Sequence, residues 1–387
     1  MPVSDLGVHR QQFPALADKA YFNYGGQGPL PSSALEIIQE NYRKIDQLGP
    51  FSAQVNAWIA SECEATRTAI AAELGAPSQT IALTEDTTVG CNIALWGLPW
   101  QAGDHLLLSD CEHPGIVAAA FQLQKRFGIE VSFCPLQSTL NPNDAVGIVQ
   151  AYLRPATRLL VISHILWNTG QVLPLAEIVR VCHAQGTRVL VDAAQSVGVL
   201  PLNLPESAVD FYAFTGHKWW CGPAGVGGLY VSVAAQAELE PTFIGWRSTR
   251  TYSSAAPAEW HPDCRRYEVA SSAFMLYGGL RQAIASHAAW GTAQARYERI
   301  VSLSTQLWQQ LQAIPDITCL RQTAPEAGLV SFQVNGQEHA SLVKALEEQA
   351  VFVRTIADPN CIRASVHYLS TPEDLQKLVD TLQAALA

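Results

Sequence analysis

The sequence predicts an α/β fold, with a large domain built on a mostly parallel sheet and a smaller α+β domain. Three observations carry this expectation. Between residues 81 and 233, short apolar runs alternate with helical stretches, the pattern of parallel strands covered on both faces by helices. From about residue 260 the pattern changes to long helices interleaved with isolated short strands. A chain of 387 residues also exceeds what one core holds, since single cores stop growing at roughly 250–300 residues. The Ser/Ala/Pro stretch at 253–258 suits a boundary, giving a large domain over 15–255 and a small domain from 1–14 and 256–387.

Taken in order, the Gly/Pro-rich segment 25–31 reads as irregular chain lying over something rather than as a repeating element. Helical periodicity over 52–74 stops at Gly75. Seven apolar runs follow as strands, at 81–83, 105–109, 130–133, 158–163, 188–191, 209–214 and 228–233. The second half predicts a long helical region at 280–314, a strand at 328–334 and a helix at 339–349. Strands at 351–354 and 362–367 and a closing helix at 372–386 complete it.

Composition narrows the function. Hydrophobic residues make up 48% and charged residues 15%, an ordinary globular balance. A net charge of −10 disfavours nucleic acid and anionic membranes as partners. No apolar run approaches the ~20 residues of a membrane span. The N-terminal stretch lacks an apolar signal core, so a cytoplasmic location is expected. The nine cysteines are scattered, odd in number and without a C-x-x-C pair. They read as reduced thiols, and no metal site is expected.

Ligands of open α/β sheets bind at the carboxyl ends of the strands, so the residues after each run matter most. After 81–83 come Thr84 to Gly90, including Thr87 and Thr88, entering a helix. Hydroxyls and free N–H groups there suit a phosphate, although simple N-capping gives the same pattern. After 105–109 comes Asp110-Cys111-Glu112-His113-Pro114, whose imidazole would stack on a flat heteroaromatic ring or serve as an ordinary loop histidine. The strand at 188–191 ends in Asp192, followed by Gln195. A carboxylate there needs a cation or several donors; a protonated pyridine nitrogen would serve, and so would a helix cap. The strand at 209–214 delivers Thr215-Gly216-His217-Lys218-Trp219-Trp220. Loss of solvation at Lys218 would lower its pKa toward nucleophilic competence, against the plain alternative of a surface lysine in a glycine-rich loop. All four segments fall at one edge of the expected sheet, and that coincidence makes them a site.

The order His113, Asp192-x-x-Gln195, Thr215-Gly216-His217-Lys218 and a late Arg363-Ala364-Ser365 resembles the class V aminotransferase group of fold-type I pyridoxal-phosphate (PLP) enzymes. The resemblance spans nearly the whole chain. Within the group it is strongest to L-cysteine/L-cystine C–S lyases of the cyanobacterial type. It is carried there by residues 21–28, 110–115, 166–174, 212–230 and 354–360.

This resemblance implies PLP held on Lys218, with Lys218 also moving the Cα proton. Asp192 would pair with the pyridine nitrogen, Gln195 would bond the ring phenolate oxygen, and His113 would stack on the ring. Thr87, Thr88, Thr215 and His217 would hold the phosphate, joined by Ser271 from the other subunit of a homodimer. Arg363 would clamp the substrate carboxylate, with Arg354, and Trp246 and Arg247 from the partner subunit, as further contacts.

The implied reaction is β-elimination. Cystine would give cysteine persulfide and cysteine would give sulfide, with pyruvate and ammonia as co-products, supplying sulfur to an acceptor, for example for iron–sulfur clusters. Related cysteine desulfurases carry a nucleophilic cysteine on a long loop between the equivalents of Arg354 and Arg363. Here that stretch is short, and Cys361, two residues before Arg363, reads as structural. Trp167 stands where desulfurases commonly have asparagine, which leaves the part of neighbouring Asn168 open. A desulfurase with a protein-bound persulfide is the main alternative, followed by a transaminase. The complete Asp192, Gln195 and Lys218 set argues against a scaffold without catalysis.

Overall fold

The computed structural model describes residues 5–253 and 256–386. Helix α1 (Leu6–Arg10) and strand β1 (Ala20–Tyr21) lead into α2 (Ser32–Leu48) and α3 (Ala53–Glu73). The α/β alternation then runs β2 (Ile81–Thr84), α4 (Thr87–Gly97), β3 (His105–Ser109), α5 (Pro114–Phe127), β4 (Glu130–Cys134), α6 (Ala145–Tyr152) and β5 (Thr157–Ser163). It continues with α7 (Leu175–His183), β6 (Arg188–Asp192), α8 (Leu204–Ser207), β7 (Phe211–Thr215) and β8 (Gly227–Val231).

These seven strands form one sheet in the order β2-β8-β7-β6-β5-β3-β4. Only β8 runs against its neighbours; the other pairings are parallel. The continuous apolar runs follow from burial on both faces. Leu107, Leu160, Ile162, Val189, Val191, Tyr212 and Phe214 enter one core. Their chain neighbours Leu106, Leu108, Leu159, Val161, Leu190, Phe211 and Ala213 enter the core on the opposite face, as the two-residue period of a strand requires.

Of the Ser/Ala/Pro stretch at 253–258, Ser253 closes β9 (Thr249–Ser253) and residues 256–258 open β10 (Ala256–Trp260), which pairs with β9, while residues 254 and 255 lie outside the described residues. The long helical region divides into α9 (Phe274–Trp290) and α10 (Ala293–Gln312). Gly291 stops the first, and Thr292 caps the second through its hydroxyl on the Ala295 N–H (3.2 Å). A four-stranded antiparallel sheet follows, ordered β11 (Ile317–Cys319), β12 (Leu329–Val334), β15 (Cys361–Ser365), β14 (Arg354–Ile356). Helices α11 (His339–Glu348) and α12 (Pro372–Leu386) pack with α10 on its core. The expected strand at 351–354 is two pieces, β13 (Val351–Phe352), which pairs in parallel with β1, and β14.

The β1–β13 pairing fixes the chain just before segment 25–31, which is irregular as expected and lies against the carboxyl edge of the large sheet. Gly28 shows why this segment needs glycine. Its N–H donates to the His217 carbonyl (2.8 Å), and a Cβ there would stand 2.2 Å from the Lys218 carbonyl oxygen and 2.7 Å from Cys221 Sγ. Backbone cannot give way as a flexible side chain does, so Gly28→Ala is expected to cost about 1–3 kcal/mol. Denaturant midpoints measure this, and an unchanged midpoint would contradict the packing argument.

Candidate active site

Strand register places the site. Thr84, Gly227 and Thr215 stand in line across β2, β8 and β7, while Asp192 lies between Ser163 and Ala213. Because β2 is parallel to β5, β6 and β7, all four deliver their carboxyl ends to one edge. Two adjoining cavities open there. One, about 240 Å³, is lined by Asp86, Thr87, Thr88, His113, Asp192, Ala194, Thr215, His217, Lys218 and Arg354. The other, about 160 Å³, shares His113, Asp192, Ala194, Lys218 and Arg354 and adds Gly25, Pro114, Ser163, Trp167, Gln195 and Arg363.

In the first cavity, Asp86 caps α4 through Val89 N–H (2.9 Å), so the capping reading of this segment belongs to Asp86. That leaves the buried Thr87 hydroxyl with no partner at a helix N-terminus, a donor set suited to an anion. Thr215 Oγ1 and His217 Nδ1 lie 2.6 Å apart across the same cavity. Burial lowers the His217 pKa, and the Lys218 charge lowers it further.

Lys218 lines both cavities. Desolvation pulls its amine down to about 8, against the opposing attraction of Asp192 and with help from Arg363 and Arg354. Asp192 is buried, accepts one backbone bond from Ala194 N–H (2.9 Å) and forms no ion pair among the described residues. Burial therefore raises its pKa. His113 caps α5, with Nδ1 accepting from Gly115 N–H (3.2 Å), and its ring meets Trp167 edge-on at 6.1 Å. Gln195 accepts from Trp219 Nε1 (2.9 Å) and donates one amide proton to Gly25 O (2.9 Å), leaving one amide proton uncommitted.

Arg363 is only 1% exposed. Its Nη1 donates to the Trp167 carbonyl (2.6 Å), while Nε and Nη2 are buried without partners. Burial pushes its pKa down to about 9, with Arg354 adding to the effect. Gly25 allows the close approach: a Cβ there would stand 2.8 Å from Arg363 Nη2. Arg354 is exposed at the rim of both cavities.

The structure brings Thr87, Thr88, His113, Asp192, Gln195, Thr215, His217, Lys218, Arg354 and Arg363 together. It does not bring Ser271 or Trp246 to the cavities of their own chain. Ser271 lines a separate cavity of about 290 Å³ with Arg247, Glu268 and Phe243, and Trp246 is 56% exposed. Asn168 turns away, its Nδ2 donating to Asp358 O (3.1 Å). Cys361 is buried on β15 opposite Ile356, and burial raises its thiol to about 12.

Sequence reasoning passed over Glu112, although it sits in the segment singled out for His113. It is buried and accepts from Ser109 Oγ, Ser163 N–H (2.9 Å) and Ser163 Oγ (3.0 Å). Ser163 is also the cross-strand neighbour of Asp192. The signal was an acidic residue directly before the ring-stacking candidate; its burial depends on strands distant in sequence.

The donor set fits PLP: an unpartnered hydroxyl at a helix N-terminus for phosphate, an uncompensated buried carboxylate for a cationic ring nitrogen, and a desolvated lysine lining the same cavity. A family model described as aminotransferase class-V matches residues 20–378. The chain belongs to this family. Solved structures of the cystine C–S lyase C-DES align at TM-score 0.94 and 48% identity over 96% of this chain. One of them, of which 99% is covered, holds the reaction product cysteine persulfide. Another, covered over 98%, carries glycine covalently linked to the PLP cofactor. A cysteine desulfurase of Escherichia coli is 30% identical, with 97% of this chain and 96% of that protein covered. Isopenicillin N epimerase of Streptomyces clavuligerus is 29% identical over 94% of each. The mixed seven-stranded sheet is thus that of the fold-type I enzymes.

Glu112 gives a pH test. Burial first, and then the Asp192 charge, raise it from 4.5 to about 8 in the fold. A carboxyl raised in the folded state contributes stability that is full below its unfolded pKa and is lost as pH rises through the folded one. Glu112→Gln should therefore flatten the fall in stability between pH 4.5 and about 8. Urea midpoints across that range measure it, and equal slopes in both proteins would contradict the assignment.

Proposed function

We propose that this enzyme cleaves the C–S bond of L-cystine, or of L-cysteine, by PLP-dependent β-elimination. The observation that carries the reading is the single cavity that Lys218, Asp192 and Arg363 line together, with Arg363 Nε and Nη2 buried without partners, Asp192 buried with one backbone donor, and Lys218 half-buried. Likeness to the C–S lyase bound to cysteine persulfide supports the choice of reaction.

Bound PLP supplies the electron sink for the pair left when the Cα proton departs. Asp192 would hold positive charge at the ring nitrogen, because an unpaired carboxylate in that position is otherwise costly. Thr87, Thr88, Thr215 and His217 would hold the phosphate, His113 would cover the ring, and Gln195 would offer its remaining amide proton to the phenolate oxygen. Arg363 meets the substrate carboxylate with Nε and Nη2, a planar pair of donors that matches two carboxylate oxygens. Arg354, at the rim, suits the distal carboxylate of cystine. Lys218 would hold the cofactor at rest and, once the incoming substrate amine displaces it, would take the Cα proton, its lowered pKa bringing the neutral base within reach near neutral pH. The Cβ–S bond then breaks, and sulfur leaves with the electron pair as cysteine persulfide or sulfide. Hydrolysis of the remainder gives pyruvate and ammonia.

No protein thiol is needed at sulfur. Cys361 is buried on a strand, with its thiol pKa raised away from the thiolate. Cys361→Ala should leave pyruvate and persulfide yields from cystine unchanged, whereas Lys218→Ala should abolish both. Loss of activity together with an enzyme-bound persulfide in the parent would instead establish the desulfurase route.

The same reading makes the enzyme a homodimer with shared sites. Phe243 (65%), Ile244 (54%), Trp246 (56%) and Val269 (38%) expose apolar surface around the cavity of Ser271, a patch suited to a second copy of the chain. In that dimer Ser271 reaches the partner's phosphate site, and Trp246 and Arg247 approach its substrate. Two inactive variants, Lys218→Ala and Ser271→Arg, should regain activity when co-refolded, since one mixed site then has both native residues. No regain would place Ser271 outside the partner's site.

No described helix is long and apolar enough to cross a membrane. The reading places the enzyme in the cytoplasm, where free cysteines persist, and its persulfide passes to a sulfur acceptor.

A further inference from the structure

The four peptide carbonyls around Lys218 are all engaged, and two of them are held by buried imidazoles. His217 O accepts from Gly28 N–H (2.8 Å), and Lys218 O accepts from Cys221 N–H (3.0 Å). Trp219 O accepts from His367 Nε2 (3.2 Å), and Trp220 O accepts from His287 Nε2 (2.9 Å). These histidines come from different elements: His287 lies on α9, and His367 follows β15 two residues beyond Ser365.

The tautomers follow from the partners. A carbonyl only accepts, so Nε2 of each ring carries its proton. His367 Nδ1 is then free to accept Leu369 N–H (3.3 Å). His287 Nδ1 must accept from the Tyr368 hydroxyl (2.6 Å), which leaves that oxygen to accept from His9 Nε2 (3.0 Å). The chain of bonds therefore runs from α1 through His9, Tyr368 and His287 to the peptide beside Lys218. Burial keeps His287 neutral, with its pKa pushed down to about 3, and holds His367 and His9 neutral in the same way. The His367 ring is stacked on Tyr24 at 4.4 Å. Trp219 also extends the order to Gln195, through the 2.9 Å bond from its Nε1.

We propose that His287 and His367 are positioning residues that clamp the turn bearing Lys218, and that Tyr368 and His9 fix the clamp's tautomer from the N-terminal helix. Hydrogen bonds to peptide carbonyls on both residues after Lys218 remove the freedom of that turn to rotate. The amine is thereby held in one position relative to Asp192 and the substrate site. The inference rests on Lys218 being the attachment and proton-transfer residue.

The test uses the PLP-loaded enzyme. A displacement of about 1 Å at a reacting group costs up to about 100-fold in rate. His287→Leu should lower kcat by about 10–100-fold with KM little changed, shift the absorbance of the bound cofactor, and alter the rate of its borohydride trapping at residue 218. His287→Gln, whose amide nitrogen can donate where Nε2 does, should restore most of kcat and the parental absorbance. A merely structural histidine would lower Tm and leave kcat, absorbance and trapping rate unmoved, and that result overturns the proposal. So does a glutamine variant no better than leucine. Should His287→Leu fail to fold, Tyr368→Phe, which removes one hydroxyl, carries the same test. It should lower kcat several-fold and shift the absorbance, and parental values overturn the proposal. Lys218→Ala is the control: a trapped adduct persisting there would refute the role of Lys218 itself, whereas its absence alongside a silent His287→Leu would refute only the clamp.

Discussion

Charge buried without a protein partner is the constraint on which this structure turns. Asp192 ends a strand inside the sheet with a single backbone donor, and Arg363 lies buried with two of its guanidinium nitrogens free. Lys218 lines the same cavity. Each group is expensive in isolation, and they do not neutralise one another by direct ion pairing. A cationic ring nitrogen would compensate Asp192, and a bound carboxylate would compensate Arg363. The site's cost in the free protein and its affinity for such groups have the same physical origin.

Much of the remaining fold serves to hold these groups at fixed separation. The parallel register of β5, β6 and β7 sets Ser163, Asp192 and Ala213 side by side. The antiparallel strand β8 lets β2 join in the same direction as β7, bringing Thr87 to the edge where Lys218 emerges. The small sheet contributes Arg354 and Arg363 from adjacent antiparallel strands, where they are register partners. Glycine closes the gaps: Gly25 and Gly28 let segment 25–31 lie on Arg363 and the Lys218 turn where any side chain would collide.

The buried histidines behind Lys218 are a different use of burial. His287 and His367 are neutral donors, and their bonds end on peptide carbonyls rather than on the reacting groups. Glu112 is similar on the other side, a buried carboxyl satisfied by two serines next to Asp192. The candidate site residues thus rest on neighbours whose polar atoms are fully occupied within the protein.

The sequence by itself determined the sheet, its direction and the edge on which chemistry occurs, because apolar periodicity and the residues after each strand are local properties. Asp192, Lys218, His113 and Thr87 were legible for that reason, and Arg363 became so through the resemblance of its motif. Helix and strand ends were less legible where one residue decides them, as at Gly291 and Val353. Only the tertiary structure decided which neighbours enclose the site. Glu112, His287 and His367 are ordinary polar residues in sequence, and their importance comes from contacts 51, 67 and 148 residues away. It also separated Ser271 and Trp246 from the cavities of their own chain, and it buried Asn168 away from the cavity that Trp167 lines. Burial and hydrogen bonding between distant segments are properties of the folded packing, and no local pattern in the chain encodes them.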